Sequence, residues 1–299
     1  MGDVYVRRRL VVGSGAAALV GLIAWHPLRH DGRPNTVVST GSSSGATHRK
    51  STSASRATAT RTDPGTLTRA LDAALGARAG DVSVTAYDRR SSVTFSYHPA
   101  MANVCASIMK VLILTSVAHT RRAAGGSLTA SDRDLAEDMI TESDNDAATE
   151  LYRRGGGAPA AQRVANALGM MSTRPNVRWG LTTTTAPDQV MMVRALAYGH
   201  SFLDNTDRAY IFDLMGRVDP GQKFGIGTLP AGVKGVAVQV KNGWLPYYPG
   251  SWHDNSIGHV QGAGRDYAAA ILSTRNATDA AGRALITKAA AVLYTHLGH

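Results

Sequence analysis

The chain has 299 residues, 43% of them apolar, with 32 Lys/Arg against 22 Asp/Glu. That length suits one large domain or two small ones, and the apolar share allows a sizeable core. The formal charge is +10, but residues 1–65 hold nine Lys/Arg and three Asp, so +6 of it lies there. The basic balance is thus mainly a property of the N-terminal tail, no nucleic-acid motif accompanies it, and no nucleic-acid partner is expected. The single cysteine, Cys105, excludes an internal disulfide and reads as a small apolar filler. The ten histidines form no metal-ligand spacing, so no metal or other cofactor is expected.

Taken in chain order, the first element is a targeting segment. Arg7, Arg8 and Arg9 precede an apolar run over 10–25, the pattern of an export signal or an uncleaved anchor. The run is short for a helix that must cross about 30 Å of hydrocarbon. The arginines with Leu10 and Val11 loosely resemble a twin-arginine signal. The reading is 1–34 as signal or membrane anchor, with the folded part exported and either tethered or released. Residues 35–65 are rich in Ser, Thr, Ala and Gly and lack large apolar groups. Such a segment buries too little surface to fold and reads as a disordered linker.

The folded domain is assigned to 66–299. Leu67, Leu71, Ala74 and Leu75 recur at helical spacing, so a helix is expected from 66. Alternation over 81–88 and 92–97, with a turn at 89–91, predicts a hairpin. Helices follow over 107–124, 130–141, 146–154, 158–168, 186–200 and 204–215. Strands return over 236–242, 256–261 and 267–273, and a last helix over 280–297. Strands from both ends of the domain imply one antiparallel sheet of about five strands, flanked by helices. The block between them makes an all-helical lobe, and the fold class is α/β in the α+β sense.

Three short pieces carry the chemistry. Ser107-Ile108-Met109-Lys110 opens a helix, and three residues' spacing puts Ser107 and Lys110 on one face. The apolar run after Lys110 would bury its amine and lower its pKa. A neutral lysine can take a proton from a serine hydroxyl, and a helix start offers N–H groups to an oxyanion. Ser143-Asp144-Asn145 precedes another helix, where such residues also serve as ordinary caps. In the functional reading Ser143 relays a proton and Asn145 holds a substrate amide. Lys241-Asn242-Gly243-Trp244 ends a strand, with Gly243 marking a close approach of backbone.

The ordered set resembles the penicillin-recognising serine acyltransferases, and most of all the class A β-lactamases. The resemblance runs over about 66–299. It implies the β-lactamase/transpeptidase-like fold. It also implies Ser107 as nucleophile, Lys110 as base, Ser143 as relay, and Asn145, Lys241, Asn242, Gly243 and Trp244 as substrate contacts. The oxyanion hole would be the backbone N–H groups of Ser107 and Trp244. The substrate implied is a β-lactam or the D-Ala-D-Ala end of a peptidoglycan stem peptide, handled by a monomer.

The sequence departs from that pattern in four places. Asn242 stands where the family prefers a hydroxyl. Ser107 and Ser143 are only 36 positions apart, which shortens the helical lobe. The place of a carboxylate-binding arginine falls near Asn255. The stretch before Thr182, Pro175 to Leu181, lacks the glutamate that activates the deacylating water in class A enzymes. The expectation is therefore acylation with slow release. Asp188 is read as a capping residue, not a substitute base. The rival expectation is a non-catalytic surface protein of the same fold that binds peptidoglycan or a partner, in which Lys110 would face solvent.

Overall fold

The computed structural model describes residues 63–248 and 251–298. The apolar run at 10–25 and most of the linker lie outside the described residues. None of the described helices is long and apolar enough to cross a membrane.

The first helix begins earlier than the apolar spacing suggested. Helix α1 spans Pro64–Leu75. The Asp63 carboxylate accepts the Thr66 N–H at 2.8 Å, and proline sits in the first turn, where its missing N–H costs nothing. A hairpin of β1 (Val82–Asp88) and β2 (Val93–Tyr97) follows. Next come β3 (Ala102–Val104) and α2 (Met109–Ala123), joined by a 3₁₀ turn at Ala106–Ile108. Helix α3 (Ala130–Glu137) widens into a π turn at Asp138–Glu142, and α4 (Asn145–Arg154) and α5 (Gly157–Ala167) complete the helical block. After β4 (Thr183–Thr185) come α6 (Ala186–Tyr198) and α7 (Asn205–Gly216). The chain closes with β5 (Val236–Tyr248), β6 (Ser251–Gly262), β7 (Arg265–Asn276) and α8 (Asp279–His296).

Five strands form one antiparallel sheet in the order β2-β1-β7-β6-β5. The N-terminal hairpin thus completes a sheet whose other half comes from the C-terminus. Helices α1 and α8 pack together, and α8 lies on β6 and β7, while α6 lies on β7 and β1. With helices packed on it, β7 is buried continuously from Tyr267 to Ser273. The three C-terminal strands run longer than alternation alone predicted. In β6 the polar run His253, Asp254, Asn255 and Ser256 is buried and hydrogen-bonded, so it carries no apolar signal.

The pair β3 and β4 was not legible either. Each has three residues, and they pair with each other apart from the main sheet. They bring the entry of α2 beside the segment leading into α6.

Helix α2 is the axis of the helical lobe. Every residue from Met109 to Ala118 is buried, against α4, α5 and α7 among others. A fully buried Asp132 clamps this lobe. It accepts from Arg121 Nε of α2 at 2.8 Å and from Arg154 Nη1 of α4 at 3.0 Å. Hydrogen bonds from both guanidiniums outweigh the effect of burial and hold its carboxyl well below the usual range. Removing one member of a buried ion network costs about 3–5 kcal/mol, and the partly exposed arginines here favour the low end. Asp132→Ala is expected to lower the melting temperature by roughly 5–10 °C, read by calorimetry, with Asp132→Glu losing less.

Candidate active site

Two backbone conformations set up the site. Ala106, just before Ser107, has φ +48°, and Ser143 has φ +61°. Left-handed geometry is disfavoured for non-glycine residues and is held only where the surroundings dictate it. At Ala106 the chain turns from β3 into α2. At Ser143 it leaves the π turn, and Asp144 N–H closes back on Asp138 O at 3.1 Å. Asp144 then caps α4 by accepting the Ala147 N–H at 2.7 Å.

Ser107 lies in the 3₁₀ turn, where residues three apart eclipse, so Lys110 shares its face. Lys110 is fully buried. Its Nζ donates to Ser143 O at 2.6 Å, Ser143 Oγ at 3.0 Å and Asn145 Oδ1 at 2.8 Å. Burial pushes its pKa down to about 7, against the pull of the Asp144 carboxylate. A drop from 10.5 to about 7 is a bias of roughly 5 kcal/mol against the ammonium. No hydrogen bond joins Lys110 to the half-buried Ser107 among the described residues.

The second lysine arrives from the sheet. Lys241 of β5 is also fully buried, and its Nζ donates to Ser143 Oγ at 3.0 Å. Burial drives its pKa well below the usual lysine range, and the charge of Lys110 adds to this. One serine hydroxyl thus receives two lysines. Neither makes a salt bridge to a carboxylate among the described residues.

Strand alternation separates the rest of the third box. Gly243 shares the Lys241 face, and a Cβ there would lie 2.6 Å from Ser107 N and 2.9 Å from Cys105 O. Only glycine lets β5 rest against the serine turn. Asn242 points to the other face. Its Nδ2 donates to Gln222 O at 2.7 Å and Phe224 O at 2.9 Å. Gln222 Nε2 in turn donates to Glu142 O at 2.6 Å, next to Ser143. Asn242 therefore ties β5 to the segment that presents Ser143, and its amide does not face the serine cluster. The Trp244 ring is likewise turned away, packed on Phe224 and beneath Arg283 at 4.2 Å.

A buried polar network behind Ser107 escaped sequence reasoning. Asn255 Nδ2 donates to Val104 O at 2.8 Å and Cys105 O at 3.1 Å. Asn103 Nδ2 donates to Asn255 Oδ1 at 3.0 Å, and His253 Nδ1 contacts Asn103 Oδ1. Asn255 thus anchors the serine turn to β6 and is not placed to bind a ligand carboxylate. Cys105 is buried, and burial pushes its thiol far above the usual range. Asp188 is occupied too, accepting from Ser172 N at 2.8 Å and Thr173 Oγ1 at 2.7 Å. The segment before Thr182 does reach the site, but with an indole: the Trp179 ring lies 5.1 Å from Lys110 Nζ. Among the described residues no group of His, Cys, Asp or Glu could hold a metal ion. A cavity of about 420 Å³, lined by His119, Arg122, Phe202 and Ile211 among others, sits at the far end of α2, away from this cluster.

With that geometry in view, the comparisons with known proteins agree. The model of the Beta-lactamase enzyme family matches residues 124–297, and the chain belongs to that family. The matched span includes Ser143 and Lys241 and starts after Ser107 and Lys110. A curated protein of Mycobacterium tuberculosis, named "Putative lipoprotein LppW", is 31% identical over 231 residues, covering 74% of this chain and 71% of that protein. Among solved structures, a class A β-lactamase from Mycobacterium abscessus superposes with TM-score 0.64 at 23% identity, covering 78% of this chain and 98% of that one. A class A β-lactamase representative from Bacteroides cellulosilyticus gives 0.68 at 18%, covering 79% and 98%. At these identities the likeness is one of fold.

The close approach at Gly243 makes a sharp prediction. Gly243→Ala forces backbone apart at Ser107 and Cys105, both on the same turn. It is expected to destabilise the fold by about 1–3 kcal/mol, the usual cost of overpacking, read as a lowered midpoint of thermal unfolding.

Proposed function

We propose that this protein is an exported serine hydrolase that forms an acyl-enzyme at Ser107 with a β-lactam or a D-Ala-D-Ala stem peptide. The observation that carries the reading is the pair of buried lysines converging on Ser143, with Gly243 of the second lysine's strand resting against Ser107 N. A solvent-facing Lys110 would have favoured the binding-protein reading, and it is fully buried.

The chemistry follows from the shared hydroxyl. Both ammonium groups lie 3.0 Å from Ser143 Oγ. They are thus at most ~6 Å apart, where two full charges at an effective dielectric of about 20 repel by roughly 3 kcal/mol. The pair holds one positive charge more easily than two. A substrate carboxylate arriving near Lys241 favours the ammonium there. Lys110 is then the neutral member and takes the proton of Ser107 as its oxygen attacks the carbonyl. Ser143, touching both lysines, carries a proton on to the leaving nitrogen. The backbone N–H groups of Ser107 and Trp244 receive the oxyanion, and Asn145 meets the substrate amide. Release is slow, because the stretch from Pro175 to Leu181 holds no Asp or Glu to activate a deacylating water.

The tether proposed is the apolar segment at 10–25, with Arg7, Arg8 and Arg9 on the side that stays inside. The mycobacterial relative is named a lipoprotein. In these 299 residues the one cysteine is Cys105, buried in the fold, so attachment here rests on the segment itself.

Intact-protein mass spectrometry after incubation with benzylpenicillin tests the reading. A lasting adduct on the wild type and none on Ser107→Ala is the expected result. Product without an adduct points to a fast β-lactamase, and neither product nor adduct points to a binding protein. The pH dependence has a defined sign. Lys110 must be neutral to act as base, so the acylation rate should climb about tenfold per unit below pH 7 and level off above it. A rate that falls as pH rises from 6 to 8 excludes Lys110 as the base.

A further inference from the structure

Trp179 touches the reacting centre and has no place in the chemistry above. It belongs to the 3₁₀ turn Trp179–Leu181. Its ring centroid is 5.1 Å from Lys110 Nζ, and its Nε1 donates to Thr149 Oγ1 at 3.2 Å. Thr149 in turn donates to Asn145 O at 2.9 Å, so the indole is braced by the helix that supplies Asn145.

The segment around it is held closed. Asn176 N–H donates to Thr182 Oγ1 at 3.1 Å, Arg178 N–H to Asn176 Oδ1 at 2.9 Å, and Tyr152 OH to Asn176 O at 2.8 Å. Cys105 N–H donates to Thr182 O at 2.7 Å, which couples the segment to the serine turn. The three protons of a charged Lys110 already have three protein acceptors, and the indole lies over the amine as well.

We propose that Trp179 keeps hydrolytic water from the acyl-enzyme and so sets its lifetime. The proposal rests on acylation at Ser107 and extends it to the step after. Hydrolysis needs a water oxygen to bond to the acyl carbon while the ester bond to Ser107 Oγ breaks. One proton of that water must pass through a base to Ser107 Oγ. An apolar ring against Lys110 removes both the room for the water and the hydrogen-bonding edge that would orient it. An acid at this position would supply both. Trp179 acts here as a positioning residue, through Lys110 and the solvent it excludes.

The test follows release of the benzylpenicilloyl adduct by intact mass for wild type, Trp179→Phe, Trp179→Ala and Trp179→Glu, each in water and with added hydroxylamine. Phe keeps an apolar ring and should leave the lifetime within about threefold. Ala opens the space, and release to hydroxylamine, a small nucleophile that needs little help from a base, should quicken by at least about tenfold. Glu adds a base, and since a positioned base contributes about 10²–10⁴, release in water alone should quicken by more than about tenfold. Faster release with undiminished acylation is a gain that a merely loosened fold does not produce, and melting temperatures taken alongside identify a damaged variant. Adduct formation with Ala and Glu lifetimes within about twofold of wild type overturns this proposal alone. Rapid product formation by the wild type without an adduct also overturns it. No adduct on any protein overturns the acylation reading, and this proposal with it.

Discussion

Two buried amines share one hydroxyl, and much of the fold exists to hold them there. Moving an ammonium out of water is costly, and two within a few ångströms are costlier still. Among the described residues the protein meets this cost without a salt bridge to either lysine, with only the more distant pull of Asp144 on Lys110. Lys110 is bound by oxygens of Ser143 and Asn145, and Lys241 by Ser143 and its own strand. Such an arrangement favours losing a proton over keeping two charges, which is the condition a basic amine needs at neutral pH.

Three independent parts of the chain must meet for that to happen. Lys110 comes from α2, whose burial along most of its length fixes its depth in the helical lobe. Ser143 comes from a strained turn at the end of a π-widened helix. Lys241 comes from β5, on the far edge of the sheet. Their register is further secured by polar ties. Asn242 and Gln222 join β5 to the Ser143 segment, and Asn255 with Asn103 joins β6 to the serine turn. Directional bonds specify distance more tightly than packing does.

Asn242 illustrates how one substitution can change meaning with context. In the linear sequence it is a departure within a substrate-binding box. In the structure its amide holds the carbonyls of Gln222 and Phe224 on the opposite face of the strand. Trp179 is the converse case. It reads as one aromatic in a segment notable for lacking an acid, and folding sets it against the buried Lys110.

The sequence alone determined the family, most of the order of elements and a candidate set of site residues. Those properties are local: helical spacing places Lys110 on the Ser107 face, alternation marks the strands, and glycine marks the tight approach at position 243. Tertiary structure decided what each of those residues touches. Asparagines at 103, 242 and 255, Gln222 and Trp179 gain their roles only through partners tens to more than a hundred positions away, such as Asn103 with Asn255 across 152 residues. Hydrogen bonds and ring contacts of that range leave no periodic trace, because nothing in the chain between them has to change for them to form.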